Sequence, residues 1–371
     1  MIVHIVPTTP PAINGLADYC YKLWQHWPSP RPEWKCVAAQ VADDAVASWP
    51  EVEIVGFELS GPGLLSALEK VGADEVVLHY VGYAYHLKGV PWWLPGALRA
   101  WKHRSQGRLT VIFHELWSRG TPKQSAFWLS PVTRKITIDL ANLSDHWVIT
   151  SIEAQQQLLS TGVDANKSSL IPVGASIEPD KGVDENKPWP SGEAKQLKIV
   201  LFGLPATRLD ALRKHRNLLS MLIQRGLVSS ICLVGQKGNP EIVQATQEVA
   251  SRIGHPELWL TKYGLSSQDI SEELLQADVG LVSHRPGLLT KSSIYATFCC
   301  HGLVAVSAYE TGQSTESIVP TLVNFDDHPE RCIELLTDSE EIRRLRGQIH
   351  ETARTVLSWA SIAQRWAEIT L

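Results

Sequence analysis

The chain has 371 residues, of which 44% are hydrophobic and 20% are charged, and its formal net charge is −5. This length exceeds the usual size of one hydrophobic core and the composition is that of globular proteins, so we expect two domains. The mildly acidic balance excludes a general nucleic-acid binder, and the absence of a long apolar run or a signal-peptide pattern predicts a cytoplasmic location.

Short Val- and Ile-rich runs alternate with helical patterns through the first half of the chain. The runs do not alternate in polarity, so they predict strands that are buried on both faces of a parallel sheet. The predicted strands are 2–6, 36–41, 53–57, 76–81, 109–114, 146–150 and 169–172. The predicted helices between them are 16–27, 63–71, 94–104, 132–143 and 152–161, and Ser151 followed by Glu153 is a typical N-terminal signal for the last of these.

A break in periodicity separates the two halves. Residues 176–196 are rich in turn formers and acidic side chains, which predicts a linker between a first domain, 1–175, and a second domain, 197–357. Strands are predicted in the second half at 197–202, 230–234, 258–263, 279–283, 303–307 and 321–324. Helices are predicted at 209–225, 240–253, 267–276, 292–300, 329–337 and 340–357. We expect a last helix, in 358–371, to pack back on the first domain.

The strand–helix alternation predicts an α/β protein with two Rossmann-like, doubly wound parallel-sheet domains. In such sheets a ligand binds beyond the carboxyl ends of the strands, so we expect the active site in a cleft where the two domains face one another. No Gly-x-Gly-x-x-Gly follows either first strand, which argues against a nicotinamide-dinucleotide enzyme.

Two loops carry the features of a phosphate site. Thr290, Lys291, Ser292 and Ser293 open a predicted helix directly after a strand and a turn that contains Arg285. A helix start offers unpaired N–H groups and the positive end of the helix dipole, so hydroxyls and an ammonium there can hold a diphosphate. The second loop contains Asn14 and Gly15, whose small size lets the backbone approach a ligand. An ordinary serine-rich helix cap and a tight turn are the simpler interpretations.

Further motifs follow these loops in a fixed order. The first half contains the loop from Pro10 to Tyr19, Phe113-His114-Glu115 and Ile171-Pro172-Val173-Gly174. The second half contains Phe202-Gly203 followed by Arg208 and Lys214, then Leu233-Val234-Gly235, the run 277–283, the turn 290–293 and the run 301–306. In order and spacing, over nearly the whole chain, these motifs resemble the glycosyltransferases of the GT-B architecture, and most closely glycosyltransferase family 4.

The resemblance implies a glycosyltransferase that moves a sugar from a nucleoside-diphosphate sugar to a hydroxyl acceptor. The acceptor would be a saccharide, a lipid or a small molecule, and the reaction would retain configuration without a metal and without a separate cofactor. Arg208 and Lys214 match the family's diphosphate pair, and His114 matches its histidine near the transferred sugar. We assign the acceptor side to Asp18, His79 and Tyr80, the last two because they end a strand at the same edge. The alternatives are a solvated helix start for the two cations and a satisfied core role for His114.

The chain departs from the family where two glutamates, eight positions apart, are usual. Counting back from Gly302, these positions fall near Leu289 and Thr297, and neither residue is acidic. The second glutamate normally binds the ribose of the donor, so a degenerate member that binds a sugar nucleotide without turnover is one alternative. A nucleotide-sugar epimerase or a phosphorylase on the same architecture is another. No Asp-x-Asp motif and no cluster with metal-ligand spacing is apparent, and the six cysteines read as reduced core residues.

The last motif is Pro91-Trp92-Trp93-Leu94-Pro95. Two adjacent tryptophans between prolines cannot both face inward easily, and the stretch continues into basic residues: Arg99, Lys102, His103, Arg104 and Arg108. Aromatic and basic side chains together can rest at a membrane surface, so we expect peripheral membrane contact through Trp92 and Trp93. The alternative is a packed loop that leads into a helix with a solvated basic face.

Overall fold

A computed structural model describes residues 1–9, 15–41, 49, 51–117, 120–180, 182–185, 187–190, 196–309, 317–325 and 327–370. The chain divides into two compact units, one formed by Met1–Pro172 with Ile362–Leu371 and the other by Val173–Ser361. The segment predicted to link two domains therefore lies inside the second unit, and the end of the chain returns to the first.

The first unit is a parallel sheet covered by helices. Its strands are β1 Ile2–Thr8, β2 Trp34–Gln40, β3 Glu53–Gly56, β4 Glu75–Tyr80, β5 Arg108–Phe113, β6 His146–Ile149 and β7 Ser168–Leu170. Its helices are α1 Gly15–Gln25, α2 Gly61–Val71, α3 Gly82–Tyr85, α4 Leu94–Ser105, α5 Ser125–Leu143 and α6 Ile152–Leu159. The described strands lie in the order β3-β2-β1-β4-β5-β6-β7. This order is the doubly wound one, with its switch point between β1 and β4.

The second unit repeats the same plan. Its strands are β8 Leu197–Gly203, β9 Val228–Gly235, β10 Trp259–Tyr263, β11 Val279–Val282, β12 Val304–Ala308 and β13 Leu322–Asn324. Its helices are α7 Pro205–Lys214, α8 Arg216–Gln224, α9 Pro240–Ile253, α10 Ser267–Gln276, α11 Ser293–Cys300, α12 Glu330–Thr337 and α13 Ser339–Thr352. The described strands are parallel and lie in the order β10-β9-β8-β11-β12-β13, with the switch point between β8 and β11. The predicted α/β class and the two Rossmann-like domains are confirmed.

Each unit has its own apolar core, because each sheet buries both of its faces. Strand β1 is buried from Ile2 to Pro7, and the residues of β12 are all buried. Helices cover these strands, and several of the helices begin at a side-chain cap. The predicted cap Ser151 accepts a hydrogen bond from the Ala154 N–H, and such a cap is worth about 1 kcal/mol. The six cysteines are free thiols, as expected.

Three predicted helices differ from the observed ones. The helix predicted at 132–143 begins at Ser125, because Pro131 lies within the helix rather than before it. The helix predicted at 209–225 is two helices, α7 and α8, since His215 leaves the helical conformation at φ −108° and ψ 10°. The helix predicted at 340–357 changes after Thr352 to a single π turn over Ala353–Leu357.

The last helix, α14 Trp359–Thr370, joins the first unit from Ile362 onward. Trp366 is fully buried there, and its indole N–H donates to the Tyr19 hydroxyl at 2.8 Å. Arg108, at the start of β5, donates to the Ile369 carbonyl at 3.0 Å. These contacts tie the C-terminal segment to both α1 and the sheet of the first unit.

Candidate functional site

The carboxyl edge of the second sheet is the first candidate region. At the switch point β8 ends at Gly203, whose φ is +113°. A Cβ at this position would lie 2.4 Å from Cδ1 of Ile294, so only glycine lets the start of α11 pack against the end of β8. The close approach places the turn before α11 beside the strand ends, where a doubly wound sheet binds its ligand.

Lys214 and His215 fix the end of α7 to the end of β11. The Lys214 ammonium donates to the Ser283 carbonyl at 3.0 Å and pairs with Asp210 at 3.1 Å. His215 is fully buried, and its Nε2 lies 2.9 Å from the Val282 carbonyl. Burial lowers the pKa of His215 to about 4, so the ring is neutral and Nε2–H donates to that carbonyl. Lys214 is thereby held at the strand end.

Further cations lie around the turn that follows β11. Burial lowers the pKa of His284, and the positive charges of Lys291, Lys214 and Arg285 lower it further, whereas Asp210 opposes them. Like charges act in this way only over short distances. The Lys214 ammonium bonds to the residue before His284, Arg285 follows His284, and Lys291 ends the same turn. We call Lys214, Arg285 and Lys291 the cation cluster. His284, which lies one residue before Arg285, was not predicted from the sequence.

The hydroxyl residues of the turn have structural roles. Ser292 is buried and caps α11, because its hydroxyl oxygen accepts from the Tyr295 N–H at 3.2 Å. Thr290 is also buried, and its carbonyl accepts from the Val173 N–H at 2.8 Å. Ser293 accepts through its carbonyl from the Thr297 hydroxyl at 2.7 Å. Lys291, by contrast, is exposed. Ser292 therefore acts as a helix cap, which is the simpler of the two interpretations. The positive charge of this turn comes from Lys291.

Arg208 serves as a cross-link inside the second unit. Its side chain is 4% exposed, and its guanidinium donates to the carbonyls of Gly203, Val234 and Gln236. The same group lies over the Tyr263 ring, 5.1 Å from the ring centre. The donors therefore join the ends of β8 and β9, and Arg208 is left out of the cation cluster.

The two positions where the resembled family carries glutamates lie in the core. Leu289 and Thr297 are both fully buried. The Thr297 hydroxyl oxygen accepts from the Ser176 N–H at 3.0 Å and also contacts the Ser176 hydroxyl at 3.0 Å. Thr297 thus anchors the segment that follows β7, so this position is occupied by a packing contact.

Three histidines form a hydrogen-bonded chain in the first unit. His4 lies on β1, His79 on the adjacent β4, and His114 directly after β5. Nδ1 of His4 lies 3.0 Å from Nε2 of His79, and Nδ1 of His79 lies 3.2 Å from Nε2 of His114. His4 and His79 are buried and His114 is half-buried. We call these three residues the histidine chain; its outer end lies where the resemblance places a histidine near the sugar.

Aromatic rings enclose the histidine chain. The Trp34 ring stacks on His4 at 4.0 Å, and the His79 and His114 rings stack on one another at 5.5 Å. The edge of Tyr19 meets both His79 and His114, at 5.9 and 5.2 Å. Burial lowers the pKa of His79 to about 3 and that of His4 well below its usual range. The two inner rings are therefore neutral at physiological pH.

The other predicted residues of this unit do not join the histidine chain. Asn14 lies outside the described residues, and Gly15 and Asp18 are exposed in the first turn of α1. Tyr80, which was predicted on the acceptor side, is fully buried and packs on Phe113 in the core. The pleat of β4 turns Tyr80 to the face opposite His79.

Cys20 lies beside the inner end of the chain. Its sulfur and one nitrogen each of His4 and His79 all lie within 4.8 Å of one another. Sequence spacing could not reveal this group, because its members come from α1, β1 and β4. Burial raises the pKa of the Cys20 thiol well above its usual range, and the facing nitrogens of the two histidines already bond to one another. We therefore treat the three residues as the inner end of a hydrogen-bonded chain rather than as a metal site.

An apolar groove of 690 Å³ lies elsewhere in the first unit. Its lining includes Leu59, Tyr85, Leu87, Trp92 and Trp93. Trp92 is 73% exposed and Leu87 is 99% exposed, whereas Trp93 packs edge-on against Phe57. The expectation that the adjacent tryptophans do not both face inward is confirmed.

The basic residues that follow the groove are largely engaged. Lys102 pairs with Asp145, and Arg104 pairs with Glu69. Among the helices that the structure describes, none combines the length and the apolar character that crossing a membrane requires.

Comparison with solved structures identifies the fold. WaaG, a glycosyltransferase involved in lipopolysaccharide biosynthesis, superposes with a TM-score of 0.65 at 12% identity, over 100% of this chain and 99% of that one. HepE of Anabaena, in complex with UDP-glucose, gives 0.60 at 12%, over 99% and 98%. The UDP-GlcNAc 2-epimerase of Neisseria meningitidis, bound to UDP-GlcNAc, gives 0.58 at 12%, over 100% and 99%. No family model and no curated protein sequence matches the chain. The chain has the GT-B fold, as predicted, and its assignment to family 4 stays a prediction.

Proposed function

We propose that the protein is a glycosyltransferase that moves a sugar from a nucleoside-diphosphate sugar to a hydroxyl acceptor. The observation that carries this proposal is the cation cluster at the switch point of a GT-B fold. Structures of the same fold are described with UDP or a UDP-sugar, so we propose a UDP-sugar as the first donor to test.

The chemistry follows from where the charge develops. Cleavage of the anomeric C–O bond leaves a diphosphate with growing negative charge, and fixed cations lower that barrier. Lys214 is held in place by Ser283 and Asp210, and Lys291 reaches the same region from the next turn. We propose that these lysines bind the diphosphate without a divalent metal. Transfer with retention, in which the departing diphosphate helps to remove the acceptor proton, stays part of the proposal.

Ligand binding tests the cation cluster directly. In a thermal-shift panel of UDP-, GDP- and ADP-sugars, free nucleotides and NAD, the Tm is expected to rise with the true donor and with its nucleoside diphosphate, by mass action. The double variant Lys214→Ala/Lys291→Ala is expected to bind that donor about tenfold or more weakly, since each charged contact to a phosphate is worth on the order of 1.5 kcal/mol. Lys198→Ala is the matched control, because Lys198 is exposed on β8 near the opposite end of the strand.

The outcomes separate the parts of this proposal. Unchanged affinity in the double variant would remove the cation cluster from the donor site. Binding that persists after EDTA treatment, together with activity that persists, supports the metal-free mechanism. Loss of activity that Mg²⁺ or Mn²⁺ restores would refute it.

Two other functions can be distinguished in the same mixtures. A 2-epimerase is favoured by one observation, the similarity in fold to the epimerase of Neisseria meningitidis. A binder without turnover is favoured by Leu289 and Thr297 at the positions of the usual glutamates. NMR of the sugar would show an epimerised donor in the first case and an unchanged donor in the second. Free sugar or a glycosylated acceptor would identify a transferase.

The exposed end of the apolar groove is the proposed membrane contact. Trp92 and Leu87 extend from the first unit with Lys88 exposed beside them. Since Lys102 and Arg104 are paired with acids, aromatic insertion rather than a broad basic face would carry the binding. Trp92→Ala is expected to reduce co-sedimentation with anionic vesicles several-fold. Trp128→Ala, which removes a similarly exposed indole, is expected to leave binding unchanged, and equal losses in both variants would argue against this surface.

A further inference from the structure

The direction of the hydrogen bonds in the histidine chain determines which atom of His114 carries a proton. A neutral imidazole has one N–H and one lone pair. His79 bonds through both nitrogens, to His4 on one side and to His114 on the other, so its single N–H points either inward or outward. All the hydrogen bonds of the histidine chain must then point in the same direction. If the chain runs outward, His79 Nδ1–H donates to Nε2 of His114, and if it runs inward, His114 is the donor.

The inner end of the chain favours the outward direction. Nε2 of His4 is buried and has no hydrogen-bond partner among the described residues. If the chain ran inward, His4 would carry its proton on this atom, which would leave a buried N–H unpaired. If the chain runs outward, the same atom is only a bare lone pair. Orphaned buried N–H groups are rarer than under-satisfied acceptors, because a donor without a partner loses its full hydration. The donors therefore point from the core of the first unit towards His114.

We propose that His79 and His4 are positioning residues that hold His114 as the neutral Nδ1–H tautomer. Nε2 of His114 is occupied as an acceptor, so a proton can reach it only if the whole chain reverses. His114 then acts towards a ligand as a hydrogen-bond donor through Nδ1 rather than as a general base. The ligand, a sugar or acceptor oxygen, rests on the proposed function, whereas the tautomer does not.

Tyr19 and Trp366 complete the arrangement. The Tyr19 ring lies edge-on against both outer histidines, and its hydroxyl accepts from the Trp366 indole. The stacked rings of His79 and His114 are therefore held from the side as well as by their hydrogen bond. The C-terminal helix contributes to the position of His114 through this contact.

NMR of the ¹⁵N-histidine-labelled full-length protein at neutral pH tests the tautomer without any substrate. The wild type is expected to show His114 with its proton on Nδ1 and with Nε2 as an acceptor. In His79→Leu, which removes the donor, His114 is expected to become a mixture or the Nε2–H form. In His79→Asn, whose amide nitrogen occupies the place of Nδ1, the wild-type tautomer is expected to return.

A matched control and two contrary outcomes make the NMR test decisive. His146→Asn changes a half-buried histidine on β6 that bonds to Ser169, outside the chain, and is expected to leave the His114 signals unchanged. An Nε2–H tautomer of His114 in the wild type would overturn the proposal even if no variant folded. An unchanged tautomer in folded His79→Leu would overturn it equally.

A kinetic readout connects the tautomer to the proposed function. With the donor found by thermal shift, His79→Leu is expected to lower kcat on the order of tenfold to a hundredfold, the range for groups that orient a functional histidine, with little change in KM for the donor. His79→Asn is expected to restore most of kcat. If no donor is turned over, the proposed function fails while the NMR result still decides the tautomer. If kcat is unaffected in His79→Leu although the tautomer changes, His114 has no donor role in the reaction.

Discussion

Because some of its histidines are buried and neutral, the protein is expected to lose stability as the pH falls. His79 has a folded-state pKa of about 3, below its unfolded value near 6.5, because burial disfavours the charged ring. The unfolded state therefore binds more protons below pH 6.5, and stability falls as the pH falls. This single group is expected to cost about 2 kcal/mol between pH 7 and pH 5.

Urea unfolding at the two pH values measures this effect. His79→Asn is expected to lose about 2 kcal/mol less stability than the wild type between pH 7 and pH 5. Glu75 acts in the opposite sense, since burial raises its pKa to about 7. Because this effect is common to all the proteins, the difference between the wild type and His79→Asn isolates the contribution of His79. His103→Asn removes an exposed histidine and is expected to behave as the wild type. Equal slopes for all three proteins would mean that His79 titrates in the folded state.

A substitution of Arg208 distinguishes a structural role of this side chain from an anion-binding role. Arg208→Lys is expected to lower the free energy of unfolding by about 2 kcal/mol or more, because one ammonium cannot satisfy the carbonyls that the guanidinium fork joins. Donor affinity of the folded variant is expected to stay within about threefold of the wild type. The opposite result, unchanged stability with strongly weakened binding, would return Arg208 to the diphosphate site that the resemblance implied.

The sequence identified some site residues because their position in the fold follows from pattern alone. His114 follows the last residue of a strand and Lys291 lies in the turn beyond another, and parallel strands bring such ends to one edge. Lys214 ends α7, and its contact with the Ser283 carbonyl brings it to the same edge. His4 and Cys20 were missed because only the pairing of β1 with β4 and the packing of α1 bring them beside His79. Tyr80 lies on the face of β4 opposite His79, because side chains alternate between the two faces of a strand.

At the scale of elements, the C-terminal helix is expected to stabilise the first unit strongly. Trp366→Ala removes a fully buried indole and its bond to Tyr19, and such truncations cost about 3–5 kcal/mol. Trp366→Phe keeps most of the apolar volume and is expected to cost less. Chemical denaturation measures both, and Trp128→Ala, which truncates an indole that is 69% exposed, is the control expected to change stability little. Equal effects of Trp366→Ala and Trp128→Ala would contradict the packing of α14.

Helix boundaries were predicted well where caps and breakers agree with the packing. Helices 240–253 and 267–276 have the predicted bounds, since Asn239 and Ser266 cap their first turns. The break at His215 could not be predicted, because the hydrogen bonds of this ring to β11 and to Asn324, distant in sequence, hold it outside the helix. The predicted start after Pro131 was too late, because α5 includes this exposed proline and begins at Ser125.

At the scale of the whole molecule, the alternation of buried strands with helices was sufficient to predict the fold. Both sheets have the doubly wound order because right-handed crossovers leave few alternatives for parallel strands. The sequence could not show that the segment 176–196 belongs to the second unit, since Thr297 contacts Ser176 and the Trp359 N–H donates to Glu178, and both partners are distant in the chain.

The return of α14 to the first unit affects the order in which the chain completes its structure during synthesis. The first unit needs residues 362–370, and all of Val173–Ser361 is synthesised before them. Translation runs from the N-terminus, so the later-made unit has its full sequence first. In the nascent chain, the surface of the first unit that Trp366 covers consequently stays exposed until α14 is synthesised. A stalled or truncated chain would present that surface to chaperones and proteases.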